Sequence, residues 1–203
     1  NHKVEIDKDA SLMELSDVTL LLNNPPGFDA TALPGEAGKH VKPAHQLLLV
    51  GAHAAEDTSG TRVLKRHFSK LEATVPLETG ASGLVIFTQD WRVARKLIED
   101  AAVMEQEFIV EVEGEVAPEN IKRLNQTLSN DGKPLPSVKV SLNSDNEKTS
   151  KLRFAVKGSH PGLIAYLCER VGLQIVSMKR LRVGRVAMTQ LAPGKWRYLM
   201  DHE

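Results

Sequence analysis

Cysteine is almost absent from this 203-residue chain: Cys168 is the only one. One thiol cannot build a disulfide framework or a cysteine metal site within a chain, and its rarity fits a reducing cytoplasm. Long apolar runs are also missing. None approaches the roughly 18 residues of a membrane span, and the start Asn1-His2-Lys3 has no signal-like apolar core. That start has no initiator Met, so an N-terminal part beyond Asn1 is expected. Net charge is lacking too, with 26 basic and 26 acidic side chains. A protein that grips nucleic acid over a wide surface is usually basic, so any such binding here is local. There is no dinucleotide fingerprint, P-loop or HExxH, and no repeat at a fixed period. Ser82 lacks the frame of a nucleophile elbow. The histidines at 2, 40, 45, 53, 67, 160 and 202 are scattered, which argues against a metal site.

The composition that remains is ordinary, with 41% apolar and 26% charged residues, enough for one large domain or two small ones. Residues 1–17 read as a polar tail or linker. Val18–Leu22 reads as a strand, stopped by Asn23-Asn24-Pro25-Pro26-Gly27. A long loop over 28–45 follows, then an apolar run over 46–50 and helix-like spacing over 60–71. Asp90 caps an expected helix reaching about Ala102, with Val93, Ala94, Leu97, Ile98 and Ala101 on one face. Residues 107–113 alternate Phe108, Val110, Val112 against Glu107, Ile109, Glu111, Glu113, as a half-buried strand does. Pro118 opens a helix with Ile121, Leu124 and Leu128 inward, and Asn130-Asp131-Gly132 makes a turn. Strands are expected at 138–142, 151–156, 173–178 and 182–188. Pro161 opens a helix with Ile164, Leu167, Cys168 and Val171 on its apolar face, closed by Gly172. Strands outnumber helices and come in groups, which predicts an α+β fold with an antiparallel or mixed sheet.

Charge is unevenly placed along the chain. No acid lies between Glu169 and Asp201, where Arg170, Lys179, Arg180, Arg182, Arg185, Lys195 and Arg197 fall. These read either as solvated strand faces or as a phosphate-binding stripe. The most distinctive stretch is Pro76-Leu77-Glu78-Thr79-Gly80-Ala81-Ser82-Gly83-Leu84. It sets a carboxylate in a glycine-rich turn directly before a core strand. A turn acid and a reacting carboxylate both fit that description.

Taken in order, these segments resemble the RsuA-type pseudouridine synthases, which modify ribosomal RNA. The resemblance runs from about residue 18 to 200. Leu22–Gly27 is similar to the family's L-N-K-P-x-G. Leu77–Leu84 is similar to its catalytic signature R-L-D-x-x-T-x-G-L. Gln106–Val110 falls on K-x-Y-x-V, and Ile164–Gly172 on the R-Q-I-R-R-M helix. Met178-Lys179-Arg180 through Gly184, Gly194 and Arg197–Leu199 fall on the C-terminal strands. The resemblance implies a catalytic domain over 18–203 with a central mixed or antiparallel sheet, flanking helices and an RNA-binding cleft. It implies no cofactor, no metal, no membrane, a cytoplasmic monomer, and RNA (ribosomal RNA above all) as partner. Members cut the N-glycosidic bond of a uridine, rotate the base and rejoin it through carbon, and an aspartate is essential to that step. Many carry an N-terminal S4 domain, which these residues lack.

By the same resemblance, Glu78 stands where the aspartate stands and Phe108 where a tyrosine stacks on the target base. Leu77, Gln106, Ile164 and Met178 fall around the pocket. Lys179, Arg180, Arg182 and Arg185 are the candidates for the RNA backbone. Departures are concentrated at polar positions. Pro76 replaces an arginine, Ala81 a threonine, Asn24 and Gln106 lysines, and Gly162, Leu163, Ala165 and Tyr166 the R-Q-R-R residues. Glu is one methylene longer than Asp, which shifts the carboxylate by roughly 1 Å, and misplacement on that scale can cost about 100-fold. Three functions follow from these residues: a pseudouridine synthase using Glu78, a catalytically inactive RNA-binding paralogue, or a protein-interaction module.

Overall fold

The alternation of residues 107–113 becomes one of the central strands of a large mixed sheet. In the computed structural model the described residues are 16–31, 42–78, 80–126, 129–130 and 132–203. The expected tail up to residue 15, part of the 28–45 loop, Thr79, Leu128 and Asp131 lie outside them. The strands are β1 (Thr19–Asn24), β2 (Phe28–Asp29), β3 (Lys42–Pro43), β4 (Glu72–Thr74), β5 (Ser82–Thr88) and β6 (Glu105–Glu113). They continue as β7 (Ser129–Asn130), β8 (Lys133–Pro134), β9 (Val138–Asp145), β10 (Thr149–Lys157), β11 (Ile175–Val183), β12 (Val186–Ala187) and β13 (Trp196–Tyr198). Three α-helices are described: α1 (Trp91–Asp100), α2 (Pro118–Asn125) and α3 (Leu163–Arg170). Among the described residues, no helix is long and apolar enough to cross a membrane.

The main sheet runs β13-β1-β5-β11-β6-β10-β9, with β4 on β5 and β12 on β11. Every pairing in it is antiparallel except β5 with β11. This is the α+β arrangement that grouped strands and few helices require. Strand β1 is buried along its whole length, because both faces of the sheet are covered there, so its centre reads as the consecutive apolar run Leu20–Leu22 and not as an alternation. Three core clusters result. Phe108, Val110, Leu152 and Phe154 pack under Leu124 of α2 and Ile164, Leu167 and Cys168 of α3. Leu20, Leu22, Val85, Phe87, Trp196 and Tyr198 pack against the segment around residues 44–71. Leu21, Leu84 and Ile86 pack against Val183, Val186, Met188 and Leu191.

Three expectations need correction. Residues 60–71 have helical spacing but form only a 3-10 turn at Lys65–Phe68. There His67 Nδ1 takes the Leu64 N–H and the Tyr198 hydroxyl, and Lys70 has φ +52, so the helix cannot propagate. The expected apolar face of α1 holds except at one position: Val93, Ala94, Leu97 and Ala101 are half-buried and Leu97 packs against the cluster of Leu21 and Ile86, but Ile98 is exposed. The strands expected at 173–178 and 182–188 are chiefly one strand, β11, with the short β12 folded back on its end.

The single parallel contact fixes where the catalytic-signature turn sits. Ser82 lies opposite Lys179, and Gly83 opposite Arg180. Gly83 has φ +101, and a Cβ there would stand 2.3 Å from the Arg180 carbonyl oxygen and 2.7 Å from its nitrogen. Glycine is required twice over, by conformation and by the neighbouring backbone. Gly83→Ala is expected to destabilise the fold by at least about 2 kcal/mol. An unchanged urea midpoint would refute the close approach.

Candidate active site

Glu78 lies in the segment that joins β4 to β5. That segment leaves β4 through Val75, a β-branched residue held at φ +51, a conformation that only surrounding packing can enforce. A turn then closes by donation of the Ala81 N–H to the Glu78 carbonyl at 3.0 Å, with Gly80 at φ +80. The glycines in the signature are therefore read correctly as backbone devices.

Arg180 holds this segment from both ends. Its guanidinium is fully buried, at 0% exposure. Nε and Nη2 donate to the Leu84 carbonyl at 2.9 and 2.7 Å, and Nη1 donates to the Pro76 carbonyl at 3.3 Å and to Gln106 Oε1 at 3.2 Å. Each of these partners is a neutral oxygen. Burial pulls the Arg180 pKa down to about 9, which still leaves it charged at neutral pH. A desolvated cation is tolerable here because its fork of donors meets acceptors in three places.

Beside this clamp, Glu78 and Pro76 face Gln106 and Phe108 on β6, Val156 on β10, and the segment Gly158-Ser159-His160-Pro161. The free space between them is about 10 Å³, room for about one water molecule and not for a nucleobase. The Glu78 carboxyl group has no hydrogen-bond or ion-pair partner among the described residues, and burial pushes its pKa up to about 7. The Cys168 thiol is pushed up to about 12, by burial first and then by the charge of Glu78, so the carboxylate lies near α3. This is a carboxyl group poised to gain or lose a proton near neutrality, where acid–base work is efficient.

The raised value has a consequence for stability. A group protonated more readily in the folded than in the unfolded chain contributes stability at low pH. That contribution is complete below the ordinary value of 4.5 and is lost as pH rises towards 7. Unfolding midpoints of wild type and Glu78→Gln should therefore diverge between pH 4.5 and 7, with the variant gaining relative stability as pH rises. Parallel curves would show that Glu78 is not buried as described.

No family model matches the chain. A protein of Aquifex aeolicus named an uncharacterized RNA pseudouridine synthase is 30% identical over 145 residues, 70% of this chain and 58% of that protein. Ribosomal large subunit pseudouridine synthase B of Bacillus subtilis is 24% identical over 156 residues, 74% of this chain and 64% of that protein. A crystal structure of a pseudouridylate synthase superposes with a TM-score of 0.69 at 15% identity, covering 92% of this chain and 72% of that one. The chain belongs to the RNA pseudouridine synthase family. It spans about three-fifths of the length of these curated relatives.

The residues expected from the resemblance fall into three groups. Glu78, Gln106 and Phe108 come together around the cleft. Phe108 is only 3% exposed, so its ring is core in this closed form rather than an open stacking platform. Leu77 packs instead into the cluster of Leu20 and Trp196, while Ile164 and Met178 lie in the core with Phe108 and do not line the cleft.

The expected basic stripe does not survive folding. Arg180 is inside the protein, where no phosphate reaches it. Arg182 donates to Glu107 at 2.8 Å and to Glu105 at 2.6 Å, and Arg153 pairs with the other oxygen of Glu107. Arg197 is buried against Glu203. The acids of β6 thus neutralise cations of β10 and β11. Lys179 is half-buried and Arg185 exposed. Among the described residues, no three His, Cys, Asp or Glu side chains converge as metal ligands would. Two features escaped the sequence reading: Arg180 as a tie, and residues 158–161 as a wall of the cleft. Gly158 and Gly162, at φ +86 and +81 around Pro161, are the local signal for that wall.

Proposed function

We propose that this protein binds RNA and isomerises uridine to pseudouridine, with Glu78 in the role of the family's aspartate and ribosomal RNA as the substrate. One observation carries the reading: a half-buried carboxyl group, its pKa raised by burial to about 7, sits on a segment tied at both ends by Arg180 and lines the cleft beside Gln106 and Phe108. The ionised form is the reactive one, so the site works once the proton has left. Residues 158–161 must move for a base to enter, because the present space does not admit one. A base that enters has been flipped from its stack, at a cost of a few kcal/mol. The Phe108 ring then becomes available to stack on it, worth about 1–3 kcal/mol. Cytoplasmic work as a monomer belongs to the same proposal.

The closed cleft and the missing partner for Glu78 favour a second reading, an RNA-binding protein without turnover. Incubation with ribosomal RNA transcripts followed by pseudouridine mapping separates the two. Product that depends on Glu78 supports the isomerase. RNA binding without product leaves the silent protein.

A further inference from the structure

Helix α1 presents a stripe that neither the core nor the cleft uses. Trp91, Arg95 and Ile98 fall at i, i+4 and i+7, on one line along its outer side. Trp91 is 66% and Ile98 70% exposed, and Val103 just past the helix is exposed as well. Apolar side chains this large and this close together on a surface mark an interaction site.

The charges beside the stripe decide what kind. Arg92, Arg95 and Lys96 project into solvent, with side-chain exposures of 74%, 66% and 79%. Two of their acidic neighbours are more withdrawn. Asp90 is 15% exposed and spends one oxygen on capping the helix through the Arg92 N–H, and Asp100 is 41% exposed. Glu99 and Asp17, whose charge also acts on Arg92, are exposed beside the cations. The Arg95–Glu99 and Lys96–Asp100 pairs are each worth about 0.2–1 kcal/mol, so a phosphate can displace the acid there. The bidentate Arg92–Asp90 pair holds its cation in place beside them.

The C-terminal end of α1 is linked to the wall of the cleft. The segment after α1 donates the Met104 N–H back to the Asp100 carbonyl, and the Met104 carbonyl accepts the N–H of Gly158, a residue of the cleft wall, at 2.8 Å. From there to Trp91 the helix rises about 14 Å, the span of about four stacked nucleotides.

We infer that the outer face of α1 binds unpaired RNA flanking the nucleotide delivered to Glu78. Trp91 stacks on a base, and Arg92, Arg95 and Lys96 take the phosphates. The inference rests on the isomerase reading for the orientation of the strand, but its test does not need turnover. Exposed aromatic and guanidinium groups in one row suit a flexible single strand, whose bases offer π-faces whatever their sequence. A protein partner would find few apolar neighbours around the row to exclude water.

Tryptophan fluorescence reads this directly, because the only other tryptophan, Trp196, is fully buried. Titration with a single-stranded oligouridylate is expected to quench Trp91 saturably, with affinity that falls as salt rises. Trp91→Ala should weaken binding about 5- to 100-fold, measured by anisotropy of a labelled oligonucleotide. Arg95→Ala should reduce the salt slope by about 0.7. Both changes are on exposed side chains, so an unchanged urea midpoint certifies the fold. Absence of quenching, wild-type affinity in both variants, or self-association that depends on Trp91 would each overturn the inference. Quenching without pseudouridine in the same RNA sinks the isomerase proposal and leaves this one standing. Pseudouridine formed by a Trp91→Ala protein of unchanged affinity does the reverse.

Discussion

Glu78→Gln is expected to lower pseudouridine formation at least about 1000-fold in kcat, with KM for RNA nearly unchanged. The amide keeps the shape of the side chain and cannot ionise, so only the reacting group is lost. Binding should survive, because Gln106, Phe108 and the α1 face are untouched. The wild-type rate should climb about tenfold per pH unit below 7 and level off above it, since the pKa of Glu78 is raised to about 7 and the working form is the carboxylate. Glu78→Asp retracts the carboxylate by roughly 1 Å and separates the need for a charge from the need for its position. A wild-type protein that forms product with a flat pH profile, or a Gln variant as active as wild type, removes Glu78 from the chemistry.

Arg180→Ala is expected to cost about 3–5 kcal/mol of stability, read from the urea midpoint. Two opposing effects decide the sign. Removing a buried cation relieves a desolvation cost, and such replacements are sometimes neutral when the partners go as well. Here the partners stay. The carbonyls of Pro76 and Leu84 and the amide oxygen of Gln106 would each lose a donor while still enclosed. Loss of those bonds and the cavity left behind therefore outweigh the relief. Arg180→Met fills most of the space and isolates the hydrogen-bond part, so it should be milder than Ala and still clearly destabilised. Arg180→Lys keeps the charge but offers a point donor where a fork is needed. Midpoints within about 0.5 kcal/mol of wild type for both Ala and Met would show that the tie does not hold the segment.

What could be read in the sequence was what local pattern encodes. The alternation around Phe108, the Pro161–Gly172 helix and the glycines of the signature turn each act over a few residues. Arg180 was misread because, in sequence, it is one cation among several. Its burial is decided by carbonyls 96 and 104 positions away. Arg182 was misread for the same reason, since Glu105 and Glu107 reach it only across the β6–β11 pairing. The 60–71 segment shows the opposite failure. Its spacing is helical, yet Tyr198 claims His67 and the chain turns away. Gly158, Pro161 and Gly162 mark a turn at the cleft wall, but that this turn closes over Glu78 is a relation between two segments and leaves no local pattern.

The tie made by Arg180 also sets an order of assembly. Residues 76–84 have their local turn as soon as they are synthesised, but their anchor arrives about a hundred residues later. Until β11 docks between β5 and β6, the carboxyl group at 78 has a turn and no fixed place. Contacts of such long sequence separation form late, after loop closure over the whole intervening chain. The Glu78 carboxyl group is thus among the last parts of the molecule to be set, and, on the proposed function, a chain that has not finished folding carries the α1 face before it carries a working site.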